Sequence, residues 1–106
     1  MTGLAIAPIN ALGSSFYTNS SVGTTPSVIV AAGANLRGVR IRTLTMAGSG
    51  GGFTWLTINS NLIFEVVTTG QINTFPMPLL VAPGLAVAVA CNIAASGQIW
   101  MSYDVL

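Results

Sequence analysis

Residues 38–46 read Gly38-Val39-Arg40-Ile41-Arg42-Thr43-Leu44-Thr45-Met46. The stretch divides into two alternating sets, Val39, Ile41, Thr43 and Thr45 against Arg40, Arg42, Leu44 and Met46. Successive side chains of a strand point to opposite faces, so this period of two predicts a β-strand with one set on each face. Hardly any helical period appears elsewhere in the chain.

The same reading extends outward. Ser27-Val28-Ile29-Val30-Ala31 is a β-prone run opened by Pro26 and closed by Ala32-Gly33-Ala34-Asn35. Gly48-Ser49-Gly50-Gly51-Gly52 predicts a loop, because so many glycines weaken any regular element. Phe53 to Ile58 and Leu62 to Thr68 give the clearest hairpin signal, two arms rich in Thr, β-branched and aromatic residues joined across Asn59-Ser60-Asn61. Gln71 to Phe75 predicts a weaker strand, stopped by Pro76-Met77-Pro78 as suits an edge or crossing loop. Leu79 to Ala82, Leu85 to Asn92 and Gln98 to Val105 complete the set, punctuated by Pro83-Gly84 and Ala94-Ala95-Ser96-Gly97.

Leu4 to Ile9 and Ser15 to Thr18 are either strands or parts of an arm lying on a neighbour. Turn signals at roughly 8–12-residue spacing predict an all-β fold, an antiparallel β-sandwich or jelly roll of about eight short strands. Residues 1–25 form the N-terminal arm or first strands, and residues 26–106 the sandwich domain. Within it, Val28-Ile29-Val30-Ala31-Ala32-Gly33 is echoed by Leu79-Leu80-Val81-Ala82-Pro83-Gly84. Two similar turns in one sandwich explain the echo most simply; two half-sheets related by a two-fold are the sharper alternative.

Composition decides what such a sandwich can do. Only five of 106 residues are charged, Arg37, Arg40, Arg42, Glu65 and Asp104, and there is no Lys or His. A lone domain of 10.8 kDa exposes roughly 5,500 Å². Isolated domains usually give about a quarter to a third of surface positions to charge. A largely neutral exterior therefore implies cover by another macromolecule. Disorder is excluded by a hydrophobic content of 52% and a mean hydropathy of +0.77.

A membrane is not the expected cover. Leu79 to Cys91 is shorter than a spanning helix and is broken by Pro83-Gly84. A lipid-facing barrel of eight strands, each about ten residues long, would nearly exhaust the chain. No secretory signal is evident. With a net charge of +1 and only three Arg, the expected partners do not include nucleic acid either.

Enzymatic chemistry has little to work with. Histidine, the commonest general acid–base near neutral pH, is missing. A paired-acid mechanism would need Glu65 and Asp104 to converge; both are better read as salt partners for Arg40 and Arg42. Metal sites require several Cys or His, and Cys91 stands alone in an apolar run that marks it as a buried structural thiol. No cofactor is expected. The glycine loop lacks the Gly-Lys-Ser/Thr ending of a phosphate loop.

Arg37, Arg40 and Arg42 form the only basic cluster, an Arg face paired within the chain or with a neighbouring subunit. Phe53 and Trp55 share one strand face, and Trp100 shares another with Ser102 and Asp104. Core placement is the preferred reading of these aromatics and of Tyr103, with interface contact as the alternative. Arg37, Arg40, Arg42, Phe53, Trp55 and Trp100 are thus the candidate interface residues.

Val30-Ala31-Ala32-Gly33 followed by Val39-Arg40-Ile41-Arg42-Thr43-Leu44-Thr45-Met46 resembles small β-sandwich proteins of tailed-phage virions, in which a V-x-A-G turn leads into a strand ending near a Gly/Ser-rich loop. Pro78-Leu79-Leu80-Val81-Ala82-Pro83-Gly84 and Ile99-Trp100-Met101-Ser102-Tyr103 are similar to their C-terminal half. The resemblance covers about residues 27–106, and Ala34 stands where those proteins usually carry Lys. It implies a non-enzymatic virion component: a capsid decoration (cement) protein, or a neck, tail or fibre-associated protein. The implied partners are itself, as a homo-oligomer and specifically a trimer, and a major capsid or other virion protein, reached by the uncharged residues 1–25. A carbohydrate-binding module that stacks sugars on Trp55 is the competing reading.

Overall fold

The computed structural model describes residues 12–49, 51–67 and 79–106. Eight strands follow one another: β1 (Ser15–Val22), β2 (Ser27–Val30), β3 (Val39–Gly48), β4 (Phe53–Ile58), β5 (Asn61–Val67), β6 (Leu79–Val81), β7 (Val87–Cys91) and β8 (Gly97–Val105). They form two antiparallel four-stranded sheets, in the orders β1-β8-β3-β6 and β2-β7-β4-β5. The fold is an all-β sandwich. The candidate strands Leu4 to Ile9 and Gln71 to Phe75 fall outside the described residues. Over its described part, the segment expected as an arm or first strands is β1, fully paired with β8 from Ser15 to Asn19.

The strand pairs follow one rule. β1 pairs β8, β2 pairs β7, β3 pairs β6 and β4 pairs β5. This is a long hairpin, turning at β4–β5, rolled so that its doubled strands alternate between two sheets, which is the jelly-roll arrangement. Advancing each strand by four places converts one sheet order into the other read backwards. The two echoed segments occupy equivalent places under that exchange, at the ends of β2 and β6, where the chain crosses between sheets.

Asn35 ties those two crossings together. Its buried amide donates to the carbonyls of Ala82 (2.8 Å) and Leu85 (3.0 Å) and accepts the Gly38 N–H (2.8 Å). Its own carbonyl accepts the Gly84 N–H at 2.8 Å. These bonds hold a turn that ends at Gly38, whose φ of +113° suits glycine.

Both sheets contribute to one core, including Val39, Ile41, Leu44, Met46, Ile99 and Met101 from the first and Leu56, Val66, Val87, Val89 and Cys91 from the second. Each large side chain so buried contributes about 1.5–3 kcal/mol of transfer free energy. Tyr103 packs against this core, whereas Phe53, Trp55 and Trp100 do not.

β3 departs from the alternation read in its sequence. Ile41 pairs with Tyr103 and Thr43 with Ser102, so Arg42 is an extra residue, a β-bulge. The bulge resets the parity. Val39, Ile41, Leu44 and Met46 are all buried, while Thr43 and Thr45 share the outer side with Arg40. Without it, one of the two apolar pairs would face solvent.

Candidate functional site

The chemistry-bearing side chains stand apart among the described residues. Glu65 stands on β5, opposite Trp55 on the outer face of the second sheet. Asp104 stands on β8, opposite Arg40 on the outer face of the first. Cys91 is buried between them as a free thiol. The two carboxylates therefore lie on opposite sides of the sandwich, and no group of three His, Cys, Asp or Glu comes together among the described residues. No helix among the described residues is long and apolar enough to cross a membrane.

What the fold does present is two outer sheet faces. On β1-β8-β3-β6, one cross-strand row runs Thr18, Trp100, Thr45 and the next runs Phe16, Ser102, Thr43. A third row joins Asp104, Arg40 and Leu80. Phe16 is 63% exposed, Leu80 70% and Trp100 44%. On β2-β7-β4-β5, one row is Val28, Ala88, Thr57, Leu62 and another is Ala90, Trp55, Glu65. Val28, Phe53, Leu62 and Ile63 are exposed there and Trp55 is half-buried. Alternation puts Val87, Val89 and Cys91 inward and turns the small Ala88 and Ala90 to the outer side, where both are nonetheless buried.

The first face has a polar seam at one side. Asp104 Oδ1 accepts the Ser14 N–H (2.8 Å) and the Ser14 hydroxyl (3.0 Å), and Oδ2 lies 3.6 Å from Arg40 Nε and 3.8 Å from Arg42 Nε. The Ser14 amide, with help from its hydroxyl and the two guanidiniums, holds the Asp104 carboxyl below its ordinary range against a burial effect that raises it. Ser102 Oγ accepts the Gly13 N–H (3.1 Å) and shares a 2.6 Å hydrogen bond with Thr43. A Cβ on Gly13 would lie 2.5 Å from the Tyr103 backbone, so only glycine can bring the chain this close.

The candidate interface residues therefore separate. Arg40, Arg42 and Trp100 come together on the first face, with exposed Arg37 on the turn that leads into β3. Phe53 and Trp55 lie on the second face. Core placement of Phe53, Trp55 and Trp100 is overturned, because the inward positions of their strands are already filled by Leu56, Ile99 and Met101. The expected pairing of Glu65 with an Arg is overturned too: Asp104 takes both arginines, and Glu65 is on the other sheet.

Leu80, Phe16 and Val28 were missed as surface residues. The signal was present in part, since Phe16 and Leu80 sit at alternating positions between residues that point inward.

The strand edges are blunted. β1, β2 and β5 each carry a register shift, and the fourth edge is β6, three residues long among the described residues. Compared with known proteins, the chain matches no family model, no curated protein and no solved structure.

Proposed function

We propose that this chain is a non-enzymatic structural component of a virion, in its most specific form a capsid decoration protein that sits on the shell as a homotrimer. One observation carries the reading: both outer faces present large apolar side chains, Phe16, Leu80 and Trp100 on one and Val28, Leu62 and Ile63 on the other, in a chain with five charges. Large apolar side chains exposed on sheet faces that carry so little charge favour cover by another protein. The resemblance in residues 27–106 gives the reading its virion setting. A neck, tail or fibre position would use the same surfaces.

The mechanism is mechanical. Each subunit buries neutral surface against its siblings and the shell, and whatever binds only the assembled shell raises the free energy of separating its subunits.

The test is mass determination of the purified chain in solution, together with co-sedimentation on intact capsids and cryo-EM of the particles. An oligomer that decorates the shell at fixed positions supports the proposal. A soluble monomer that leaves particles bare overturns it. Deleting residues 1–11, which spares β1, is expected to abolish capsid binding while leaving the melting temperature unchanged; retained binding removes the arm from the mechanism.

A second reading has one observation in its favour. Trp100 is exposed on a sheet face that it shares with Gln98, and an aromatic plane beside an amide is the chemistry that grips a sugar ring. Glycan-array binding by a monomeric sample, lost in Trp100→Ala, would select it.

A further inference from the structure

The charges are divided between the two sides of the sandwich. Arg40, Arg42 and Asp104 lie on the first face, a sum of +1, and Arg37 stands on the turn into β3. The second face holds Glu65 alone, a sum of −1. The two arginines that stand on a sheet face are thus on one side, and Glu65 is on the other.

Burying Glu65 against a wholly apolar partner would leave an unpaired charge, which opposes association. The first face can supply the missing cation. The Arg40 side chain is 40% exposed, and the 3.6 Å separation of its Nε from Asp104 is longer than a charge-assisted bond. Its guanidinium keeps donors for a further carboxylate.

We propose that a second copy of this chain docks by unlike faces, the β1-β8-β3-β6 face of one copy against the β2-β7-β4-β5 face of the next, with Glu65 of one meeting Arg40 of the other. The proposal rests on the assembly reading above and specifies its contact. Two like faces brought together would place +1 on +1, or two Glu65 carboxylates in one apolar interface. Unlike faces bring apolar surface and opposite charge together at once. Such a contact is heterologous and excludes a two-fold dimer as the basic unit.

The experiment is a charge exchange read by sedimentation velocity over a concentration series at low salt. Glu65→Arg leaves both faces at +1, and Arg40→Glu leaves both at −1. Each variant alone is expected to associate at least about tenfold more weakly than wild type. In a one-to-one mixture unlike variants meet with opposite charges; a ring of three keeps one like-charged contact, so recovery of part of the lost association is expected.

Thermal melts check folding. Glu65→Arg is at an exposed position, so its effect stands even where Arg40→Glu fails to fold; Arg37→Glu, on its exposed turn, then replaces it in the mixture, with partial recovery expected. Variants that associate like wild type, or a mixture of folded variants that does not recover, overturn unlike-face docking and leave the assembly reading standing. A monomeric wild type that still decorates capsids does the same. A wild type that neither associates nor binds particles overturns both.

Discussion

The two outer faces of the sandwich hold their surroundings in different ways. The β1-β8-β3-β6 face is stitched by side chains, with Ser102 bridging Gly13 and Thr43 and Asp104 bridging Ser14, Arg40 and Arg42. The β2-β7-β4-β5 face has little such stitching, its Thr57 hydroxyl making one long bond of 3.4 Å to the Ala88 carbonyl. The reason is backbone geometry. Gly13 and Ser14 precede β1 and lack its ladder bonds, so β8 side chains must satisfy their amides. Strands of the second sheet satisfy their backbones by pairing, which frees the outer side chains to be apolar.

The strongest way to break this comparison is to remove the bridge. Ser102→Ala leaves the Gly13 N–H and the Thr43 hydroxyl without their partner at a site only 1% exposed. A loss of about 1–3 kcal/mol is expected. Thr57→Ala on the other face is expected to stay within about 0.5 kcal/mol of wild type. Urea unfolding of both variants decides it, and equal losses would erase the distinction.

A smaller effect sharpens it by pH. The Asp104 carboxyl is held low in the folded chain, so its stabilising contribution is present above the unfolded value of about 3.9 and is lost as pH falls through the lowered native one. Asp104→Asn should therefore melt below wild type at pH 7, by about 1 kcal/mol. The two should converge once pH has fallen below the lowered native value, where both carry a neutral side chain. A constant gap across that range would remove the carboxylate from the stitching.

The smallest effect belongs to the second sheet and has the opposite sign. Asn59 (φ 53°) and Ser60 (φ 66°) close the β4–β5 hairpin with both residues at positive φ, as in a type I′ turn. Ser60→Gly should raise stability by about 0.5–1 kcal/mol in calorimetry. A loss would show that the Ser60 side chain supports that sheet after all.

The strands were legible because their residues alternate or cluster locally: Phe53–Ile58 is bounded in the structure as it is in the sequence. The β3 bulge was half-legible. Val39 and Ile41 have one parity and Leu44 and Met46 the other, and that switch was the signal. The role of Asn35 was not legible, since its partners lie 47 and 50 residues away and nothing local distinguishes it from a turn asparagine. Nor could alternation assign Glu65, because pairing decides which sheet a strand joins, and pairing here is long-range. The apolar exterior followed from composition; its division into two oppositely charged faces required the sheet order.

The pairing of first with eighth strand also sets a timetable. As the polypeptide leaves the ribosome, β1 has no described hydrogen-bonding neighbour until Gly97–Val105 has emerged, since β8 lies between β1 and β3. Of the eight strands only β4 and β5 pair with a neighbour in sequence. Loop-closure entropy must be overcome before the remaining ladders form, which places folding in the slow class of β-topologies, on the order of milliseconds to seconds. Synthesis thus leaves sticky, unfinished strands waiting on their final companion, and nascent-chain aggregation is the hazard this architecture must outrun.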